Sequence, residues 1–147
     1  MIRAAEAADL GALRDVFRRS SLSNDGDRPN LLANPDALEL SEVAVGRTRV
    51  ATVAVGRVVG FVTTAVAGGV IEVEDLFVDP DWMGRGAGMA LMLDVVAAAR
   101  ERGIERNEVT ANLHALGFYE KAGFVVDGQA DTRFGPAARM YRDVRWR

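Results

Sequence analysis

Residues 70–93, VIEVEDLFVDPDWMGRGAGMALML, constrain the fold of this chain more than any other stretch. From Val70 to Val78 the residues alternate as on a half-buried strand, and Asp79-Pro80 breaks the pattern. Gly84, Gly86 and Gly88 follow, and an apolar run with helical spacing begins behind them. A strand, a glycine turn and a helix start in that order form an anion-binding device. The first amide N–H groups of a helix have no partner within it and point outward, toward a phosphate if one is present. Glu72, Glu74 and Asp75 place three carboxylates just upstream. A phosphate cradle beside carboxylates points to an enzyme.

The remaining chain has to supply a sheet for that strand and cover for that helix. At 147 residues it is long enough for a real core, and residues 1–147 read as a single α+β domain without repeats or linkers. Ile2-Arg3 suggests a short first strand. Asp9 is placed as the N-cap of a helix running to about Arg19, with Leu10, Leu13, Val16 and Phe17 at helical spacing. Residues 20–30, SSLSNDGDRPN, read as a loop. Asn34-Pro35 opens a second helix that Gly46 closes. Residues 48–55 and 58–66 are rich in Val and Thr and read as strands joined by a tight turn at Gly56-Arg57. Ala67-Gly68-Gly69 then turns the chain into the strand 70–78, completing an antiparallel meander.

Behind the glycines a helix is expected from about Gly86 to Arg102, ended by Gly103. A strand over 107–111, a helix over 112–122 stopped by Gly123, and a strand over 124–127 come next. A turn at Gly135-Pro136 leads to a last strand over 139–144.

Composition removes several classes of function. A formal charge of −3 argues against nucleic acid as the partner. The absence of cysteine excludes a disulfide frame, a Cys-ligated metal and a thiol nucleophile, and it suits a reducing cytoplasm. No apolar run approaches the ~20 residues of a membrane span, and MIRAAEAADL lacks the apolar core of a secretory signal. The expectation is a cytoplasmic protein with no membrane segment and no metal.

Taken alone, the glycine loop leaves three readings open. A dinucleotide-binding turn needs G-x-G-x-x-G directly behind a strand. Here the spacing is Gly84-x-Gly86-x-Gly88, five residues separate Val78 from Gly84, and hairpins rather than a βαβ unit precede it. A P-loop needs Gly-Lys-Ser/Thr, and this loop has no lysine. The third reading is a turn that binds nothing. The segment 112–124, NLHALGFYEKAGF, narrows the choice. Together with Leu76-Phe-Val-Asp-Pro80 and Met83-Gly-Arg-Gly-Ala-Gly88, it resembles the GCN5-related N-acetyltransferase (GNAT) superfamily. The family's acyl-CoA loop has the form Gln/Arg-x-x-Gly-x-Gly/Ala. Its downstream motif, Asn-x-x-Ala-x-x-Phe-Tyr-x-Lys-x-Gly-Phe, is met here by Asn112, Ala115, Phe118, Tyr119, Lys121, Gly123 and Phe124.

The resemblance implies a central mixed, mostly antiparallel sheet of about six or seven strands flanked by about four helices. It implies acetyl-CoA as co-substrate, lying between the strand that ends at Val78 and the one that ends near Ala111. The main chain of Phe77 and Val78 would pair with the pantetheine arm. The amides of Met83, Gly84, Arg85, Gly86, Ala87 and Gly88 would hold the pyrophosphate, with Asn112, Phe118 and Tyr119 completing the cofactor side. Met83 stands where the family has Gln or Arg, and the Arg85 guanidinium can supply the charge that its thioether lacks.

The reaction implied is acetyl transfer to a primary amine of a small molecule or peptide, by direct attack through a tetrahedral intermediate. The Leu76 amide would stabilise the developing oxyanion, and Tyr119 would protonate the leaving thiolate. Tyr119 also has a plain reading, as a core aromatic on an amphipathic helix. Strand alternation puts Glu72 and Glu74 on one face and Asp75 on the other, which makes the two glutamates the base candidates. An ion-paired strand face is the competing reading of the same pair. His114, the only histidine, is a lesser candidate. Asn24, Asp25, Asp27 and Arg28 lie where such proteins often build the acceptor pocket, with Glu74 as a further contact. Proteins of this fold often form homodimers. The alternative function is a module of the same fold that binds acyl-CoA without transferring the acyl group and serves as a sensor or partner domain.

Overall fold

The computed structural model describes residues 1–23, 42–132 and 135–144. Strands β1 (Ile2–Ala4), β2 (Thr48–Thr52), β3 (Val58–Ala67), β4 (Val70–Val78), β5 (Arg106–Asn112), β6 (Val125–Thr132) and β7 (Gly135–Asp143) form one sheet in the order β1-β2-β3-β4-β5-β7-β6. The β4–β5 pair is parallel, whereas β1–β2, β2–β3, β5–β7 and β6–β7 are antiparallel. This is the mixed, mostly antiparallel sheet implied by the resemblance, with seven strands. Among the described residues there are three α-helices: α1 (Leu10–Ser23), α2 (Ala87–Glu101) and α3 (Leu116–Lys121). The helix expected to open at Asn34-Pro35 lies outside the described residues except for its end, where Glu42–Arg47 form a 3-10 turn.

Contacts group the chain into two compact units. The first comprises Met1–Thr63 and Asp75–Leu91, the second Thr64–Glu74 and Met92–Arg147. In the first unit, Leu13, Val16 and Phe17 of α1 form one apolar stripe packed with Val50, Val58 and Phe61. Phe77 of β4 joins this cluster, with its ring 4.6 Å from Phe17 and 5.7 Å from Phe61 between centroids. In the second unit, Met92, Val95, Val96 and Ala99 of α2 are buried, as are Ile71, Val73, Val109 and Met140 on the strands.

Several element ends differ from the sequence reading, each for a local reason. Asp9 is not the N-cap of α1. It closes a 3-10 turn, Ala7–Asp9, that leads into the helix, and its carboxylate reaches back to the Glu6 N–H at 2.8 Å. Arg3 grips the same carboxylate at 2.8 and 3.0 Å and holds its pKa below the usual range. That stabilising contribution is present above the ordinary carboxylate range and is lost as the pH falls through the lowered value. Arg3→Met should therefore move the midpoint of acid unfolding, followed by circular dichroism, to higher pH.

The β2–β3 connection is longer than a turn at Gly56-Arg57. β2 stops at Thr52, and the Gly56 N–H donates to the Val53 carbonyl at 3.0 Å. Val55 and Gly56 both have positive φ, 60° and 77°. A β-branched residue is poorly suited to that conformation, and Val55 is fully exposed, so no packing compensates. Val55→Asn should stabilise the fold by about 1 kcal/mol, visible as a rise of about 2–4 °C in melting temperature.

Gly135 and Pro136 belong to β7 rather than to a turn. Proline is accepted there because β5 ends opposite Ala137, which leaves Pro136 paired on one side only, with Asp131 of β6.

Asn107 of β5 is the anomaly of the second core. It is fully buried, and among the described residues neither Oδ1 nor Nδ2 has a hydrogen-bond partner. A buried unsatisfied amide costs about 1–3 kcal/mol, and leucine has the same branched outline without the polar atoms. Asn107→Leu is expected to raise stability to urea by about 1 kcal/mol or more. A lower midpoint would show that the amide is satisfied.

Candidate active site

The glycine loop is built in the first unit. Asp79 follows β4 and caps the 3-10 turn Pro80–Trp82, its side chain accepting the Asp81 N–H at 2.9 Å. Gly84 and Gly86 follow with φ of 77° and 87°. The Gly86 carbonyl accepts the Ala90 N–H at 2.9 Å, which is the first hydrogen bond of the helical turn into α2. Positive φ at two positions turns the chain sharply into α2, whose first amides have no partner within the helix. A Cβ built on either glycine would meet no protein atom within 4 Å. The side of the loop that glycine leaves clear is thus open space rather than packed core. Gly88 lies inside α2, where it serves the helix and not the turn. Met83 is exposed, and the Arg85 guanidinium lies over the Trp82 ring at 4.7 Å.

β4 carries an irregularity that sequence alternation does not show. The two-residue turn at Gly68-Gly69 sets Ala67 opposite Val70, and an unbroken ladder would then pair Val59 with Val78. Instead it is the Asp79 N–H that donates to the Val59 carbonyl, at 2.8 Å. The register of β4 on β3 therefore changes by one residue between the Gly68-Gly69 turn and Asp79, as at a bulge. The β4–β5 ladder runs from Val70 and Arg106 to Val73 and Val109, whereas β5 stays paired with β7 as far as Asn112. The pairing of β4 with β5 stops at Val73, before Leu76, Phe77 and Val78.

In the second unit the two glutamates of β4 differ. Glu72 stands directly opposite Glu108 in the ladder, an unfavourable pairing of like charges. Arg139 of β7 compensates: its Nη1 and Nη2 donate to the two Glu72 oxygens at 3.0 and 3.1 Å. Nη2 also reaches Glu108 at 2.6 Å, and Nη1 reaches Thr110 at 2.6 Å. Its pairing with Glu72, and then with Glu108, raises the Arg139 pKa further. Arg106 extends the row to Glu108 at 2.8 Å and Asp127 at 2.7 Å, and stacks on Tyr141 at 3.8 Å. Both oxygens of Glu72 are thus engaged by a guanidinium, whereas Glu74, on the same row, is exposed. The ion-paired reading of this strand face describes Glu72.

Sequence reasoning missed Arg139, Glu108 and Thr110. Period-two spacing puts Arg106, Glu108 and Thr110 on one face of a strand, but their meeting with Glu72 depends on strand order.

Asn112 ends β5, and its exposed side chain makes no capping bond. The chain then enters a 3-10 turn, Leu113–Ala115, with exposed His114 as its last basic residue, before α3 begins. The end of α3 gives the Gly-Phe pair of the motif a physical reason. Gly123, at φ 93°, lets its own N–H reach the Glu120 carbonyl at 3.0 Å, while the Phe124 N–H reaches the Tyr119 carbonyl at 3.0 Å. This double closure is a Schellman cap, with Tyr119 and Phe124 in the expected apolar contact at 5.5 Å between ring centroids. Phe118 lies edge-on to Tyr119 at 5.1 Å. Tyr119 is buried, so its ring has a packing role whatever its hydroxyl does. Asn24, Asp25, Asp27 and Arg28 lie outside the described residues. Among the described residues, no group of three His, Asp or Glu side chains could hold a metal ion, and no helix is long and apolar enough to cross a membrane.

The sequence profile of the Acetyltransferase (GNAT) family matches residues 13–124. The chain belongs to that family. It is 34% identical over 130 residues to serotonin N-acetyltransferase 2, chloroplastic, of rice (Oryza sativa subsp. japonica), covering 87% of this chain and 62% of the relative. It is 33% identical over 101 residues to glucosamine 6-phosphate N-acetyltransferase of Trypanosoma brucei brucei, covering 59% of this chain and 69% of that one. The chain thus spans about two thirds of the length of these relatives. The PaiA N-acetyltransferase of Thermoplasma acidophilum, solved in complex with coenzyme A, shares the fold at a TM-score of 0.78 and 19% identity, over 97% of this chain and 98% of that one.

Proposed function

We propose that the protein is an N-acetyltransferase moving an acetyl group from acetyl-CoA to a primary amine of a small molecule or peptide. The observation that carries this reading is the turn at residues 84–86. Two positive-φ glycines with open space on their Cβ side lead into a 15-residue helix, in a chain of the GNAT family. This arrangement fits a pyrophosphate, whose oxygens need close backbone approach and unpaired amides. The amides of Met83, Gly84, Arg85, Gly86, Ala87 and Gly88 hold it, and Arg85 leaves the Trp82 ring to bind a phosphate oxygen. Main-chain groups of Phe77 and Val78 receive the pantetheine arm, with Asn112 and Phe118 beside it.

The Leu76 amide donates to the acetyl oxygen as negative charge develops there. The amine must lose a proton, which Glu74 takes directly or through water, with Glu72 held by Arg139 behind it. The Tyr119 hydroxyl gives a proton to the departing sulfur. Asn24 and Arg28, with Glu74, contact the acceptor. Serotonin and glucosamine 6-phosphate in the relatives' names are both primary amines on small molecules, which supports that acceptor class.

The test is thiol release from acetyl-CoA against arylalkylamines, amino sugars, amino sugar phosphates and N-terminal peptides. A thiol reagent gives no background from a protein without cysteine. Release that depends on an acceptor is the expected result. Tight acetyl-CoA binding with no release from any acceptor would overturn the reading in favour of an acyl-CoA-binding module.

A further inference from the structure

The geometry points to Arg19 as a positioning residue for the cofactor loop, an inference that rests on the pyrophosphate reading of that loop. Asp79 is a buried carboxylate, with its side chain only 3% exposed. Such a group is tolerated when it is paired and hydrogen-bonded, and every polar atom of Asp79 is engaged. Its N–H donates to the Val59 carbonyl at 2.8 Å, and its own carbonyl accepts the Trp82 N–H at 2.8 Å. Oδ1 accepts the Asp81 N–H at 2.9 Å, and Oδ2 accepts Arg19 Nη1 at 2.8 Å, with Arg57 farther off at 3.5 Å. The other Arg19 nitrogen, Nη2, donates to Asp81 at 3.0 Å.

A single guanidinium on α1 therefore holds the first and third residues of the four-residue turn that leaves β4 and delivers the chain to Met83 and Gly84. Between Asp79 and the start of α2 there is no other regular element than this turn, so its tilt sets the direction of the amides at residues 83–86. Arg19 touches neither the pyrophosphate cradle nor the reacting atoms, and it acts through Asp79 and Asp81. It also lies near the end of α1, which runs to Ser23 and leads directly into the segment containing Asn24 and Arg28. The helix on the acceptor side of the sequence is thereby tied to the cofactor turn.

The test compares Arg19→Met and Arg19→Lys with the parent protein. Calorimetry gives Kd for CoA, and steady-state kinetics give KM and kcat with acetyl-CoA and with S-acetylpantetheine, a donor lacking the pyrophosphate. Arg19→Met should raise Kd for CoA and KM for acetyl-CoA about tenfold, because misdirected amides no longer converge on the phosphate. Its kcat should change less than about twofold, and its KM for S-acetylpantetheine should not move. Arg19→Lys, which keeps a cation on Asp79, should recover most of the affinity. Parent-like Kd and KM in folded Arg19→Met would overturn the inference, as would an equal rise in KM for both donors. If Arg19→Met does not fold, Asp81→Asn removes only the exposed half of the clamp and should raise Kd for CoA about twofold or threefold. An unchanged Kd in that variant would equally overturn it. The two readings fail separately. A parent protein that binds both donors equally well defeats the pyrophosphate cradle, whereas a parent preference for acetyl-CoA retained in full by Arg19→Met defeats only the clamp.

Discussion

Gly86→Glu abolishes CoA binding in a protein that still folds: this is the largest effect expected of any single substitution. Gly86 has φ of 87°, and a side chain there costs about 1–2 kcal/mol in backbone strain. The protein itself does not resist the new atoms, because a Cβ at this position meets nothing within 4 Å. A carboxylate at the start of a helix is moreover favourable for the helix, offsetting about 0.3–1 kcal/mol of that strain. Stability should therefore fall only slightly, whereas the carboxylate would occupy the space proposed for the pyrophosphate and repel it. A loss of affinity of about a hundredfold or more is expected by calorimetry. Circular dichroism should show a native spectrum for the same sample. Near-parent binding in the folded variant would rule out the cradle.

Tyr119→Phe is the second large effect, and it separates the two roles of one side chain. The ring contacts to Phe118 and Phe124 and the carbonyl that accepts the Phe124 N–H all survive the change. KM for acetyl-CoA should therefore change far less than kcat. Loss of a general acid costs about 10²–10⁴-fold, so kcat should fall by about a hundredfold. Leaving groups of lower pKa need less help from an acid, and an acyl donor with a more acidic thiol should recover part of the loss. An unchanged kcat would leave Tyr119 as a core aromatic only.

The glycine loop was readable from sequence because its chemistry is local. Positive φ at Gly84 and Gly86, and a helix starting just behind them, follow from residue type and spacing within a few positions. The hairpin at Gly68-Gly69 and the stops at Gly103 and Gly123 were equally local, since glycine is the residue that accepts a left-handed turn without cost. Element ends were less readable where two signals competed. Asp9 has the residue type of an N-cap but serves one turn later, because the chain enters α1 through a 3-10 turn and Arg3 lies within reach. Pro136 reads as a strand breaker until it is known that β5 stops at Asn112 and no longer needs its N–H.

The candidate site divides along the same line. By itself, the sequence determined the residue inventory: the glycine turn, the carboxylates of β4, the Asn112-to-Phe124 motif and the absence of thiols. These depend on interactions between near neighbours in the chain, whose geometry is set by backbone sterics and helix-end hydrogen bonding. Only the tertiary structure decided that Glu72 is committed to Arg139, 67 positions away. Only it showed that the register of β4 on β3 changes before Asp79, and that Arg19 holds Asp79 from 60 positions away. Such pairings require strand order, register and the docking of α1. Those are fixed by burial of the whole core, and no local pattern of residues encodes them.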